Sequence, residues 1–155
     1  MKKFNDLRIH KPNKQQTGSA SAFQLRIDTS GKWPKTLSFL QMAKQTGIDE
    51  NDNARFGWKD DDTTIKMKLD ETDLGKLLYG LRTKTEINLF HKNANGNTIL
   101  KIVYKEDKGM FGIRLSKKVG QDQPVALQHF LSFDETELVR VYLDMSLKCH
   151  FGWWS

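Results

Sequence analysis

The side chains of this sequence best suited to chemistry are cations that alternate with apolar and aromatic residues. Along Thr98 to Lys105, Ile99, Lys101, Val103 and Lys105 share one parity, and Leu100, Ile102 and Tyr104 share the other. Along Met110 to Lys118, Phe111, Ile113 and Leu115 alternate with Gly112, Arg114, Ser116 and Lys118, while Thr64, Lys66 and Lys68 alternate with Ile65, Met67 and Leu69. Successive side chains of a strand point to opposite faces, so each run gathers its cations on one surface. Ammonium and guanidinium groups neutralise phosphates, and rings beside them stack on unpaired bases. Lys66, Lys68, Lys101, Lys105, Arg114 and Lys118 are therefore the candidate phosphate contacts, and Trp33, Phe56, Trp58 and Phe90 the candidate base contacts. Phe39, Tyr104 and Phe111 are expected in the core, where large rings usually lie. The competing reading is a solvated sheet face whose rings close the sheet edges.

Other chemistry has little to work with. Asp60-Asp61-Asp62 offers carboxylates for a divalent cation, but three consecutive side chains in a strand or turn point in different directions. Cys149-His150 offers a thiol and an imidazole, yet adjacent residues of a helix do not face each other. His10, His91, His129 and His150 show no metal-ligand spacing, and a single cysteine excludes an intrachain disulfide. No nucleophile, base and orienting group can be assembled, so neither catalysis, a cofactor nor a metal is expected.

These residues need a scaffold, and the 155-residue chain, 37% hydrophobic with nine Phe, can bury the core of one domain. Its net charge of +6 permits a polyanionic partner without requiring one. The charge is segregated. Residues 1 to 22 hold Lys2, Lys3, Arg8, Lys11 and Lys14 against Asp6, residues 49 to 62 are acidic, and residues 97 to 118 are basic. Residues 1 to 21 are expected to form a flexible basic tail, of disordered Gln/Ser/Gly character, ahead of a domain over residues 22 to 155. No secretory signal or membrane-length apolar run is visible, which predicts a soluble intracellular protein.

Within that domain one unit occurs twice. Residues 69 to 81 and 133 to 145 each carry a Phe/Leu-Asp-Glu-Thr-Asp/Glu-Leu start followed by apolar residues at helical spacing. Asp70 and Asp134 are expected as N-caps, with Asp73 and Glu137 three residues on. Leu74, Leu77, Leu78 and Leu81 predict the buried stripe of the first helix, and Leu138, Val141, Tyr142, Met145 and Cys149 that of the second. Strands are predicted over 22–28, 36–44, 55–58 and 63–69, and again over 86–92, 98–105, 110–117 and 125–133. Asn95-Gly96, Asp107-Lys108-Gly109 and Gly120-Gln121-Asp122 supply the turns of the second set. The fold class is thus α+β: two four-stranded antiparallel sheets, each followed by a helix, a ββββα unit over 22–82 repeated over 83–150.

In this arrangement the sequence resembles the Whirly family of single-stranded DNA-binding proteins over roughly residues 22 to 154. Leu89-Phe90-His91-Lys92 is similar to that family's Phe-Phe-His-Asp strand end, and Ile99-Leu100-Lys101-Ile102 to its Val-Leu-Lys-Val strand. Gly109 to Ser116 resembles its glycine-aromatic-x-leucine-serine strand, Phe130 to Val141 its strand leading into Thr-x-x-Glu-Phe-x-Val, and Phe151-Gly152-Trp153 its Ile-Gly-Trp ending. The family's lysine-glycine-lysine signature has only a loose counterpart in Gly31-Lys32-Trp33-Pro34-Lys35. The resemblance implies two sheets each followed by a helix, single-stranded DNA as ligand, and a tetramer built through the helices in preference to a dimer. The related transcriptional positive cofactors carry one such unit per chain and dimerise.

The expected function is that of a single-stranded DNA-binding protein with little sequence preference, acting in replication, recombination, repair or transcription. Single-stranded RNA is the alternative ligand, since stacking platforms do not inherently distinguish the sugars. A non-catalytic scaffold without nucleic acid is the alternative class.

Overall fold

Alternating apolar residues decide which segments become strands and which way each faces. The computed structural model describes residues 1–94 and 96–152. Its elements are β1 (Lys2–Lys3), β2 (Leu7–Lys11), β3 (Ser19–Asp28), β4 (Lys35–Ile48), β5 (Ala54–Phe56), β6 (Thr64–Leu69), α1 (Glu71–Thr83), β7 (Ile87–Asn93), β8 (Gly96–Lys105), β9 (Met110–Lys118), β10 (Val125–Leu131) and α2 (Phe133–His150).

The first sheet grows on the long β3–β4 hairpin, where Phe23 faces Leu40 and Ser21 faces Met42. β6 lies along the other edge of β4, with Met67 opposite Leu40, and β5 joins beyond a bulge between Gln45 and Gly47. β1 and β2 both pair with the free edge of β3. This sheet therefore has six strands where four are expected, and the ββββα repeat holds only approximately. The extra pair comes from residues 1–21, expected to be a flexible tail. Leu7 and Ile9 turn inward onto the core while Arg8 and His10 turn outward, an alternation short enough to be hidden by the surrounding charge. The loop after β2 is fixed by Gln45, whose side chain is only 1% exposed as a residue. Its Oε1 accepts from the N–H groups of Asn13 (3.0 Å) and Gly18 (3.2 Å), and its Nε2 donates to the Asn13 carbonyl (3.2 Å).

The second sheet is an antiparallel meander in the order β10-β9-β8-β7. Leu89, Leu100, Leu115 and Leu127 form one inward row, and Ile87, Ile102, Ile113 and His129 the next. These rows join Phe23, Leu40 and Met67 of the first sheet, Leu74, Leu77 and Leu81 of α1, and Val139 and Leu143 of α2 in one core cluster. Asn95 of the Asn95-Gly96 turn and Trp153 of the Phe-Gly-Trp ending lie outside the described residues.

Both helices start on capping boxes. Asp70 caps α1 as expected: its carboxylate accepts from the Asp73 N–H (2.8 Å), and Asp73 accepts from the Asp70 N–H (3.1 Å). For α2 the cap is Ser132, paired with Glu135, and not Asp134 with Glu137. β10 stops at Leu131, so the helix begins earlier than the overlaid sequences indicate. The buried stripe of α2 is accordingly Val139, Leu143, Ser146 and Cys149, and the expected core positions Leu138, Val141 and Met145 are exposed. Apolar residues surround more than one face of this helix, so periodicity alone selects the wrong neighbour.

Candidate nucleic-acid interface

The meander sets its outward side chains in rows across the strands. Asn88, Lys101, Arg114 and Gln128 form one row, Phe90, Ile99, Ser116 and Ala126 the next, and Lys92, Asn97 and Lys118 a third. On the opposite flank lie Val103, Gly112 and Phe130, then Lys105 and Met110. Neighbours within a row are about 4.8 Å apart and successive rows about 7 Å, so cations and apolar groups share one patch. Phe90 is 59% exposed, Ile99 42% and Phe130 37%. Lys101 pairs with Glu86 at 3.1 Å; among the described residues no ion pair restrains Lys105, Arg114 or Lys118.

Phe130 forms a platform because of the residue beside it. Gly112 stands opposite Phe130, and the edge of the ring lies 3.5 Å from where a Cβ on Gly112 would sit. The ring thus reaches over β9, and a side chain larger than alanine at position 112 would lift it. Lys108 Nζ stands 4.2 Å from the centroid of the Phe130 ring. It is delivered by the β8–β9 turn, in which the Lys108 N–H donates to the Lys105 carbonyl (3.1 Å) and Gly109 adopts φ +60°, a left-handed conformation suited to glycine.

A cleft of about 780 Å³ opens beside this platform. Its floor includes Val103, Gly112, Arg114 and Phe130, and its wall is the Asn13–Ser19 region anchored by Gln45. His129 ties wall to floor. Its Nδ1 lies 2.8 Å from Ser19 Oγ and its Nε2 3.1 Å from Ser21 Oγ, while Ser19 Oγ donates to the Gln128 carbonyl (2.9 Å). One tautomer satisfies the set: Nδ1–H donates to Ser19, and Nε2 accepts from Ser21. Burial, reinforced by nearby Lys11 and partly opposed by Glu135, pushes the imidazole down to about 4, so it is neutral at pH 7. Lys11 itself is bound to Glu135. Burial raises the Glu135 pKa, but bonds from Lys11 and Ser132 outweigh it and hold the carboxyl below its ordinary value.

A second cavity, about 220 Å³, lies where the start of β6 meets the start of β8 and the end of β9. Lys66 of the first sheet and Asn97 and Lys118 of the second line it together. Lys117 closes its base, donating to the carbonyls of Asp61 (2.9 Å) and Thr64 (3.2 Å).

The structure brings Lys101, Lys105, Arg114, Lys118 and Phe90 onto one face, with Lys66 reaching the same region through the second cavity. Lys68 lies with Lys66 on the outward side of the first sheet, and Lys66 Nζ stands over the half-buried Phe39 ring at 4.3 Å. Phe56 and Trp58 are half-buried, and each ring carries a neighbour. Phe56 stacks near His10 (5.1 Å between centroids), and Trp58 lies under Arg8 (5.0 Å) with its carbonyl accepting from Gln41. Trp33, 72% exposed, sits at the β3–β4 tip, separated from the cleft wall by the length of β3, about 30 Å. Phe111 is buried as expected, whereas Tyr104 is half-buried beneath Lys84. Phe130, Lys108, Lys92 and the Asn13–Ser19 wall are absent from the expected set; the outward parity of Phe130 with Gln128 was the available signal. Burial raises the Cys149 thiol pKa, the reverse of what a nucleophile needs, and His150 faces Ser38 (3.0 Å) and Glu71 (3.3 Å).

Comparison with known proteins places this geometry in a fold. No family model matches the chain, and no curated protein matches it in sequence. Solved structures do: the chain has a Whirly-like fold. It is similar to WHY1 from Arabidopsis thaliana at a TM-score of 0.76 and 16% identity, over 96% of this chain and 86% of that one. It is similar to WHY3 from Arabidopsis thaliana at 0.72 and 16%, over 97% and 90%. The Trypanosoma brucei MRP1/MRP2 structure matches at 0.69 and 12%, over 97% and 88%.

Proposed function

We propose that this chain binds single-stranded DNA with little sequence preference, in replication, recombination, repair or transcription. The observation that carries the reading is the outward face of the second sheet, where Phe90 and Phe130 are exposed among Lys101, Lys105, Arg114 and Lys118 beside a wide cleft. Unpaired bases stack on the rings while the cations follow the phosphates; a duplex hides its base faces and gains only the second term. The exposed Leu138, Val141 and Met145 of α2 support assembly of copies through the helices, with a tetramer favoured over a dimer.

Fluorescence anisotropy with labelled oligo-dT and a matched duplex tests the reading. Oligo-dT affinity should fall steeply between about 50 and 200 mM salt, and the Lys101→Glu/Arg114→Glu double variant should lose at least about tenfold. Salt-independent binding, or equal affinity for duplex, would count against it. Competition by matched RNA decides between the sugars, and absence of binding to either leaves the scaffold reading.

A further inference from the structure

Two rings on the outward sheet faces already carry a cation. Lys108 Nζ stands over Phe130 at 4.2 Å, and Lys66 Nζ stands over Phe39 at 4.3 Å on the other sheet. A base and a cation compete for the same π face, so a base stacking on Phe130 must first move the ammonium. Lys108 can move without disturbing the fold. Its backbone is held by the turn, its side chain is exposed, and among the described residues no carboxylate pairs with it, although Glu106 and Asp107 precede it. The four-carbon stem leaves room for the ammonium to swing towards a strand lying along Arg114 and Lys105.

We propose that Lys108 is a gate on the Phe130 platform that makes base stacking conditional on a neighbouring phosphate. The proposal rests on the nucleic-acid reading above and names what the platform selects: a nucleobase carried on an anionic backbone. When a phosphodiester strand arrives, the ammonium exchanges the ring for a phosphate oxygen and the base takes the vacated face. A neutral aromatic ligand offers no such exchange, so it must displace the cation with nothing to receive it. Lys108 is thus a specificity-determining residue, and its effect has opposite signs for charged and uncharged strands. An ordinary surface lysine assists the first and leaves the second untouched.

The test uses the full chain carrying Lys108→Met, which keeps the length and apolar character of the stem and removes the charge. Binding is measured for oligo-dT and for its methylphosphonate counterpart, whose backbone is uncharged. K108M should weaken oligo-dT several-fold and reduce the magnitude of its salt slope by about one. It should bind the methylphosphonate strand at least about twofold more tightly than wild type does, because the ring is now free. In a Phe130→Leu background that gain should disappear. Absence of the gain, with wild-type oligo-dT binding intact, overturns the gate and leaves the general reading standing. Failure of the wild-type protein to bind oligo-dT removes both.

Discussion

His129 shows how one side chain joins the cleft to the stability of the whole chain. Both ring nitrogens are engaged by serines of β3, and burial together with Lys11 holds the group at about 4 against its ordinary 6.5. The folded-state pKa lies below the unfolded one, so as pH falls through 6.5 the unfolded chain takes up the proton first. The stabilisation from neutral His129 is therefore full above about 6.5 and lost progressively towards 4, amounting to about 3 kcal/mol over that window. His129→Ala should cost about 1 to 3 kcal/mol at pH 7 through its broken hydrogen bonds, and should flatten the decline between pH 6.5 and 4.5. Urea melts of both proteins across that range check this; parallel curves would refute it. At this scale the outward placement of the lysines was legible from parity alone, since alternation is local. Phe130 was not, because its usefulness depends on Gly112, eighteen positions earlier in the chain but directly opposite in the sheet.

The elements carry a different balance of local and distant information. Capping chemistry is local, and α1 begins where Asp70 and Asp73 require. For α2 the expected cap Asp134 lies two residues beyond the actual one, Ser132, and the choice is made by where β10 ends. Ser132→Ala should therefore lower stability by about 1 kcal/mol, whereas Asp134→Asn should cost only a few tenths, through the helix dipole. Equal losses in thermal melts would return the cap to Asp134. β2 was the hardest element to foresee: five residues with two inward apolar positions read as tail until the free edge of β3 is known to be there. Once it is placed, the loop behind it becomes a wall of the candidate site, so missing the strand also hid part of the cleft.

For the molecule as a whole, the two halves differ in what they expose. α2 leaves Leu138, Val141 and Met145 uncovered, more apolar surface than α1 shows with Tyr79 alone. Val141→Glu should shift a sizing profile towards smaller species while leaving the circular dichroism of the fold in place, because the residue is 54% exposed in the single chain. An unchanged profile would remove this stripe from the assembly. The outer faces of the two sheets differ as well. That of the second sheet is open, but over the first sheet Ala20, Ala22 and Ala43 are fully buried although they point away from the core, with Gln41 beside them gripping the Trp58 carbonyl.

Those alanines make the two halves unequal in how much sequence change they can absorb. In a library covering every position, the three alanines should admit little beyond glycine or serine, because a larger side chain has no space to enter. Random variation would thus be purged from the outer face of the first sheet by packing alone, leaving the likeness of the two halves easier to recognise in backbone shape than in letters.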